Sequence, residues 1–207
     1  MKTLIVTSYI EKQNQINLSD DYEMIICADA GFERAKVLGI TPKYIIGDYD
    51  SASTFPSPDD INVIYLPCEK DMTDTEAALN LAIDKGGTDI TILGGLGGRF
   101  DHTMGNIGLL AGYSTNEVSI SIMDGQNHVV LLMPGIHVVK KENYKYVGLI
   151  SYGEVTKGIT LSGFKYPLSD FDLENNTSLC VSNEILEEQG EIKFNSGKLM
   201  VIRSKEI

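Results

Sequence analysis

Five short apolar runs punctuate residues 1–93, and helix-length patterns separate several of them. The runs fall at residues 4–8, 24–27, 44–46, 62–66 and 89–93. Each is strand-sized, too short for a buried helix. Residues 32–38 carry a helical pattern that Gly39 stops, with Pro42 three residues on. Thr73-Asp74-Thr75-Glu76 has the form of a capping box, in which Thr73 and Glu76 satisfy each other's backbone N–H groups. The helix it opens runs through Ala77, Ala78, Leu81 and Ala82 and ends at Gly86-Gly87. Another helix is expected from near Asp101 to Tyr113. Strands that alternate with helices fold as an α/β layer with a mostly parallel sheet.

From residue 118 the pattern changes. Only strand candidates remain, at 118–123, 128–132, 146–151, 158–162, 178–181, 191–194 and 198–203. Turn signals such as Asp124-Gly125 and Asn195-Ser196-Gly197 separate them. The expectation is an α/β domain over residues 1–124 followed by an all-β sandwich domain over 125–207.

Composition narrows the function classes. Hydrophobic residues make up 43% and charged residues 22%, enough apolar side chain for a buried core. No apolar run approaches the length of a membrane span, and the first run reads as a buried strand rather than a signal peptide. A net charge of −12 with no basic stripe argues against nucleic acid as a partner. Cys27, Cys68 and Cys180 have neither zinc-ligand nor disulfide-framework spacing. Each is expected to be a small buried hydrophobe, and a reducing cytoplasm is the expected compartment.

The carboxylates of the first domain are not scattered. Asp29 follows the second strand, Asp48 and Asp50 follow the third, Asp71 and Asp74 follow the fourth, and Asp101 follows the fifth. The carboxyl ends of strands in an open α/β sheet share one edge, where ligands bind. Negative charges gathered there call for a cation. Mg²⁺ prefers oxygen ligands and binds through one or two carboxylates plus substrate phosphates. Asp74 also suits the positive end of its helix dipole.

Gly94-Gly95-Leu96-Gly97-Gly98-Arg99 places four glycines in five residues directly after a strand. Such a loop lets backbone N–H groups approach an anion, and Arg99 adds a fixed charge suited to phosphate. The loop lacks the Gly-Lys-Ser/Thr ending of a P-loop, and Phe100 breaks a Gly-x-Gly-x-x-Gly reading. His102 is placed to contact phosphate or to cap the next helix. His128 and His137 read as structural.

Taken in order, several segments resemble the thiamin pyrophosphokinase family. They are Ala28-Asp29-Ala30-Gly31, Ile46-Gly47-Asp48-Tyr49-Asp50-Ser51, the stretch from Lys70-Asp71-Met72-Thr73-Asp74 to Leu79, and Gly94 to His102 with Asn106-Ile107. Gly158 to Leu168 and Ser182-Asn183-Glu184 extend the resemblance into the second domain. Ala30 stands where the family usually has glycine, Tyr49 where it often has phenylalanine, and Met104-Gly105 where it often has Leu-Ala.

The resemblance implies an N-terminal ATP-binding domain, a C-terminal sandwich that helps bind thiamin, and a homodimer with active sites between subunits. The implied reaction moves the β,γ-pyrophosphoryl group of ATP to the thiamin hydroxyl and releases AMP. Asp48, Asp50, Asp71 and Asp74 would hold Mg²⁺ and orient the hydroxyl. Asp29, Thr73, Gly94, Gly97, Gly98, Arg99, Asp101, His102 and Asn106 would form the ATP site. Ser182 and Asn183 would line the thiamin site. The competing readings are a related diphosphokinase acting on a pterin alcohol and a binding module without catalysis.

Overall fold

A computed structural model describes residues 1–16, 18, 21–48 and 61–206. The chain divides into two compact units, residues 1–113 with 117–125, and residues 114–116 with 126–207.

The first unit holds β1 (Lys2–Val6), β2 (Met24–Ala28), α1 (Gly31–Val37), β3 (Tyr44–Gly47), β4 (Asn62–Tyr65), α2 (Asp74–Asp84), β5 (Asp89–Leu93), α3 (Phe100–Tyr113) and β6 (Ser119–Met123). Its strands pair in parallel in the order β4-β3-β2-β1-β5-β6. The chain lays β2, β3 and β4 on one side of β1, then crosses back to place β5 on the other. The reversal of strand order therefore falls between β1 and β5.

Burial on both faces explains the near-continuous apolar strands. Leu4 and Val6 pack with Cys27, Ala35 of α1, Ile45 and Leu93, all fully buried. Alternation turns Ile5, equally buried, to the opposite face. Ala78, Leu79 and Ala82 give α2 its buried side. Burial pushes the Cys27 thiol up to about 12, so it stays protonated and acts as a hydrophobe. Cys68 departs from expectation. It is exposed on the loop after β4.

The helix ends follow their sequence signals. The Thr73 hydroxyl accepts a 3.2 Å hydrogen bond from the Glu76 N–H, a cap contributing about 1 kcal/mol. Glu76 does not mirror it; its carboxylate accepts a 3.1 Å bond from the Tyr113 hydroxyl and ties α2 to α3. At the other end Gly86 has φ +88°, and Gly87 N–H reaches back to the Ala82 carbonyl at 2.8 Å. That pairing satisfies carbonyls the helix leaves open.

The second unit is all β. Strands β7 (Asn127–Leu132), β13 (Leu199–Ser204) and β9 (Tyr146–Ser151) form one antiparallel layer. Strands β11 (Leu168–Glu174), β10 (Val155–Ser162), β12 (Gln189–Phe194) and β8 (Gly135–Lys140) form another, in that order. Val147, Leu149, Leu199 and Val201 from the first layer pack with Ile159, Leu161, Leu173, Ile192 and Phe194 from the second. Two layers with one shared core are the sandwich that the strand run implied. Two strands went unread in the sequence, β8 and β11. Conversely, residues 178–181 form a turn rather than a strand; Cys180 is buried while Leu179 and Val181 stand exposed.

One polar cluster lies within this unit. Arg203 donates to His128 Nδ1 at 3.0 Å, to the Lys140 carbonyl at 3.0 Å and to Glu142 Oε2 at 3.0 Å. Burial, and then the Arg203 charge, hold the His128 pKa down to about 4 from an ordinary 6.5. Between those values the unfolded chain binds a proton that the folded chain refuses. This contribution is therefore complete above the unfolded value and is lost as pH falls toward about 4. Urea unfolding at pH 7 and pH 4.5 is expected to show a loss of about 2 kcal/mol from this source. His128→Gln should flatten that part of the slope; an unchanged slope would remove His128 from the cause.

Candidate active site

The β1/β5 reversal creates a crevice, because the connections after the two strands leave in opposite directions. Backbone geometry fixes its walls. Thr7 N–H donates to the Leu93 carbonyl at 3.0 Å, and the Thr7 hydroxyl lies 3.1 Å from both Leu93 O and Tyr9 O. Gly94 adopts φ +92°, and a Cβ there would sit 2.3 Å from Tyr9 O and 2.4 Å from Thr7 Oγ1. No larger residue fits without moving backbone. Gly94 N–H donates to Met123 O at 2.7 Å and Gly95 N–H to Tyr9 O at 2.8 Å. These two glycines thus build the loop, and their N–H groups are already engaged.

Two side chains of α3 pin the loop from below. Asn106, 6% exposed, donates from Nδ2 to Gly95 O at 2.9 Å. Thr103 donates to Gly97 O at 3.2 Å. Gly97 and Gly98, at φ +80° and +63°, lie against the Tyr9 ring. The result is a cleft of about 250 Å³ lined by Thr7, Tyr9, Thr75, Gly97, Arg99 and His102 among others. Sequence reading missed Thr7 and Tyr9, which precede any motif and join the site only through the β1–β5 pairing.

Arg99 and Asp101 form a two-pronged pair at 2.6 and 3.2 Å, with side chains 73% and 65% exposed. The Arg99 guanidinium holds the Asp101 carboxyl below its usual range. An exposed pair of this kind contributes little to stability. Arg99 is also one of the residues that line the cleft. Asp101 therefore partners Arg99 rather than joining the other carboxylates.

Those others gather after β2 and β3 and at the start of α2. Asp29 occupies a left-handed conformation, φ +47°, directly after β2. Gly47 makes room for it, since a Cβ at Gly47 would lie 2.9 Å from Asp29 Cα. Asp48 follows β3, and Asp74 opens α2. Burial pushes the Asp74 carboxyl up, Lys70 pulls it down, and the charges of Asp48 and Asp29 push it up again. The three carboxylates thus share one electrostatic neighbourhood. Lys70 Nζ bridges two of them, 3.2 Å from Asp48 Oδ2 and 3.3 Å from Asp74 Oδ1. Asp29 Oδ1 is buried with no hydrogen-bond partner. Asp71 stands exposed on the loop before α2, and Asp50 lies outside the described residues. Among the described residues, no three His, Cys, Asp or Glu side chains are placed to hold a metal ion by protein ligands alone.

In the second unit, Ser182 adopts φ +62° and is exposed. Asn183, 3% exposed, spends its side chain on neighbouring backbone. Its Oδ1 accepts from Tyr166 N–H at 3.0 Å and Glu184 N–H at 2.9 Å, and its Nδ2 donates to Tyr166 O at 2.9 Å. It shapes the loop that presents Ser182.

Several solved structures share this architecture. A thiamine pyrophosphokinase from Bacillus subtilis superposes with a TM-score of 0.86 at 32% identity, covering 100% of both chains. One from Geobacillus thermodenitrificans gives 0.84 at 32%, covering 100% of this chain and 98% of that one. The fold and these relatives define a kinase of the pyrophosphate-transferring class. The model of the thiamin pyrophosphokinase catalytic domain matches residues 16–122, and that of the vitamin B1 binding domain matches residues 135–199. A curated thiamine pyrophosphokinase of Bacillus subtilis is 36% identical over 193 residues, 90% of this chain and 89% of that protein. The chain belongs to the thiamin pyrophosphokinase family.

Proposed function

We propose that this chain transfers the β,γ-pyrophosphoryl group of ATP to the hydroxyl of thiamin, in a Mg²⁺-dependent reaction that yields thiamin diphosphate and AMP. The observation that carries the reading is the pairing of the β1/β5 cleft with a half-buried carboxylate group on the same sheet edge. The cleft supplies the glycine loop, Arg99 and the start of α3 for a polyphosphate. Asp48 and Asp74 supply carboxylate oxygens of the kind Mg²⁺ takes, with Asp29 beside them, and Oδ1 of Asp29 and of Asp74 are both buried without a hydrogen-bond partner. Asp48 and Asp74 would hold the ion together with phosphate oxygens, and Asp50 and Asp71 complete the proposed set. Bound there, Mg²⁺ neutralises charge on the polyphosphate.

The protein's own residues position and deprotonate. Thr7, Gly97, Gly98 and His102 orient the nucleotide, with Thr73 and Asn106 holding the elements they stand on. Arg99 draws charge from the leaving side. The thiamin hydroxyl oxygen bonds to the β-phosphorus as the bond from that phosphorus to the oxygen bridging the α-phosphorus breaks. AMP departs with that oxygen, and a carboxylate of the group accepts the hydroxyl proton. We place the thiamin ring against the Ser182 loop and assign the working form as a homodimer with active sites at the subunit interface, acting in the cytoplasm. Exposed Ile136, Val138, Leu179, Val181 and Leu186 on the second unit support association. Among the described residues, no helix is long and apolar enough to cross a membrane.

The test is a product analysis. Purified protein with ATP, Mg²⁺ and thiamin should give AMP and thiamin diphosphate in equal amounts by chromatography. ADP in place of AMP would overturn pyrophosphoryl transfer. Turnover with a hydroxymethyl pterin and none with thiamin would overturn the acceptor.

A further inference from the structure

Lys70 sets a cation within the carboxylate group, and its placement is specific. Its ammonium lies 3.2 Å from Asp48 Oδ2 and 3.3 Å from Asp74 Oδ1, and it is held by the Pro67 carbonyl at 3.4 Å. Its side chain is 13% exposed, against 19% for Asp48 and 25% for Asp74. The two carboxylates come from different elements, the end of β3 and the first residue of α2. A divalent ion that used both oxygens would need the space the ammonium fills.

We infer that Lys70 is a built-in counterion that closes the metal position of the free protein and is displaced when Mg²⁺ arrives on the nucleotide. This rests on the metal reading given above. The physics is a competition. Free Mg²⁺ must shed water and also expel an ammonium already paired with two carboxylates. Mg²⁺ carried on ATP brings phosphate oxygens with it, and the flexible four-carbon stem lets Lys70 transfer its charge to them. Metal binding is thereby coupled to nucleotide binding, and the coupling is reciprocal.

Mn²⁺ titration followed by electron paramagnetic resonance reads this directly. Without nucleotide, Lys70→Met is expected to bind Mn²⁺ about tenfold tighter than the wild-type chain. Adding α,β-methylene-ATP should raise wild-type affinity about tenfold and that of Lys70→Met far less. In the unaltered protein, the Lys70 ammonium resonance should shift as Mg²⁺ and the analogue saturate the site. This second readout decides the matter alone should Lys70→Met fail to fold. Equal affinities of the two nucleotide-free proteins, or an unmoved ammonium resonance at saturation, would overturn the inference. Absence of Mn²⁺ binding to both proteins even with the analogue would overturn the metal reading itself, and this inference with it.

Discussion

Replacing Asp74 with asparagine is expected to lower kcat by about a thousandfold, the scale of losing a preorganised charge at a reacting centre. The exchange keeps the shape of the side chain and removes only its charge. Asp74 sits where three demands meet: the first turn of α2, the bridge to Lys70, and the field of Asp48 and Asp29. The structural demand is small, because a first-turn acid contributes about 0.5 kcal/mol through the helix dipole. Thermal melting should therefore stay close to that of the unaltered protein while turnover collapses. Near-normal kcat at saturating Mg²⁺ would take Asp74 out of the reaction.

The second large effect is one of stability. Gly31→Ala would place a Cβ 2.1 Å from the Val6 carbonyl oxygen and 2.8 Å from its carbon. These are backbone atoms at the end of β1, so no side chain can swing aside. Either α1 lifts from the sheet or β1 shifts, and an expected loss of about 3 kcal/mol follows. For a chain of this size that lowers Tm by roughly 10 °C. Because Val6 leads into Thr7 and the cleft, activity should fall as well. The neighbouring position is the control. Ala30 has φ −63°, so no glycine is required there and Ala30→Gly should change stability by less than about 1 kcal/mol. A Gly31→Ala protein that melts with the wild type would disprove the close approach.

Much of this was legible in the residues. The β-α alternation, the capping threonine and the glycine stops place α1, α2 and α3 within a residue or two. Polar strands were harder. In β11, Asp170, Asp172 and Glu174 outnumber its buried side chain Leu173, and register shifts interrupt its pairing with β10. Charge on an edge strand guards against unwanted pairing and hides the apolar alternation that reveals strands. Lys70 was in view as part of a motif, but its reach to Asp48, 22 residues earlier, depends on the β3–β4 pairing. Asn183 carries a role that the sequence does not display. A polar residue in a recognisable motif reads as a ligand contact, yet its side chain is consumed by backbone groups of Tyr166 and Glu184.

That consumption has a consequence for recognition. The loop around Ser182 is stitched to the 163–167 turn by two bonds between one amide and Tyr166, and by the Lys165–Glu184 pair at its edge. Its shape is set before any small molecule arrives. A guest that settles there meets a mould rather than a loose thread, so little ordering entropy is lost on docking. Discrimination among guests then comes from fit to a fixed contour.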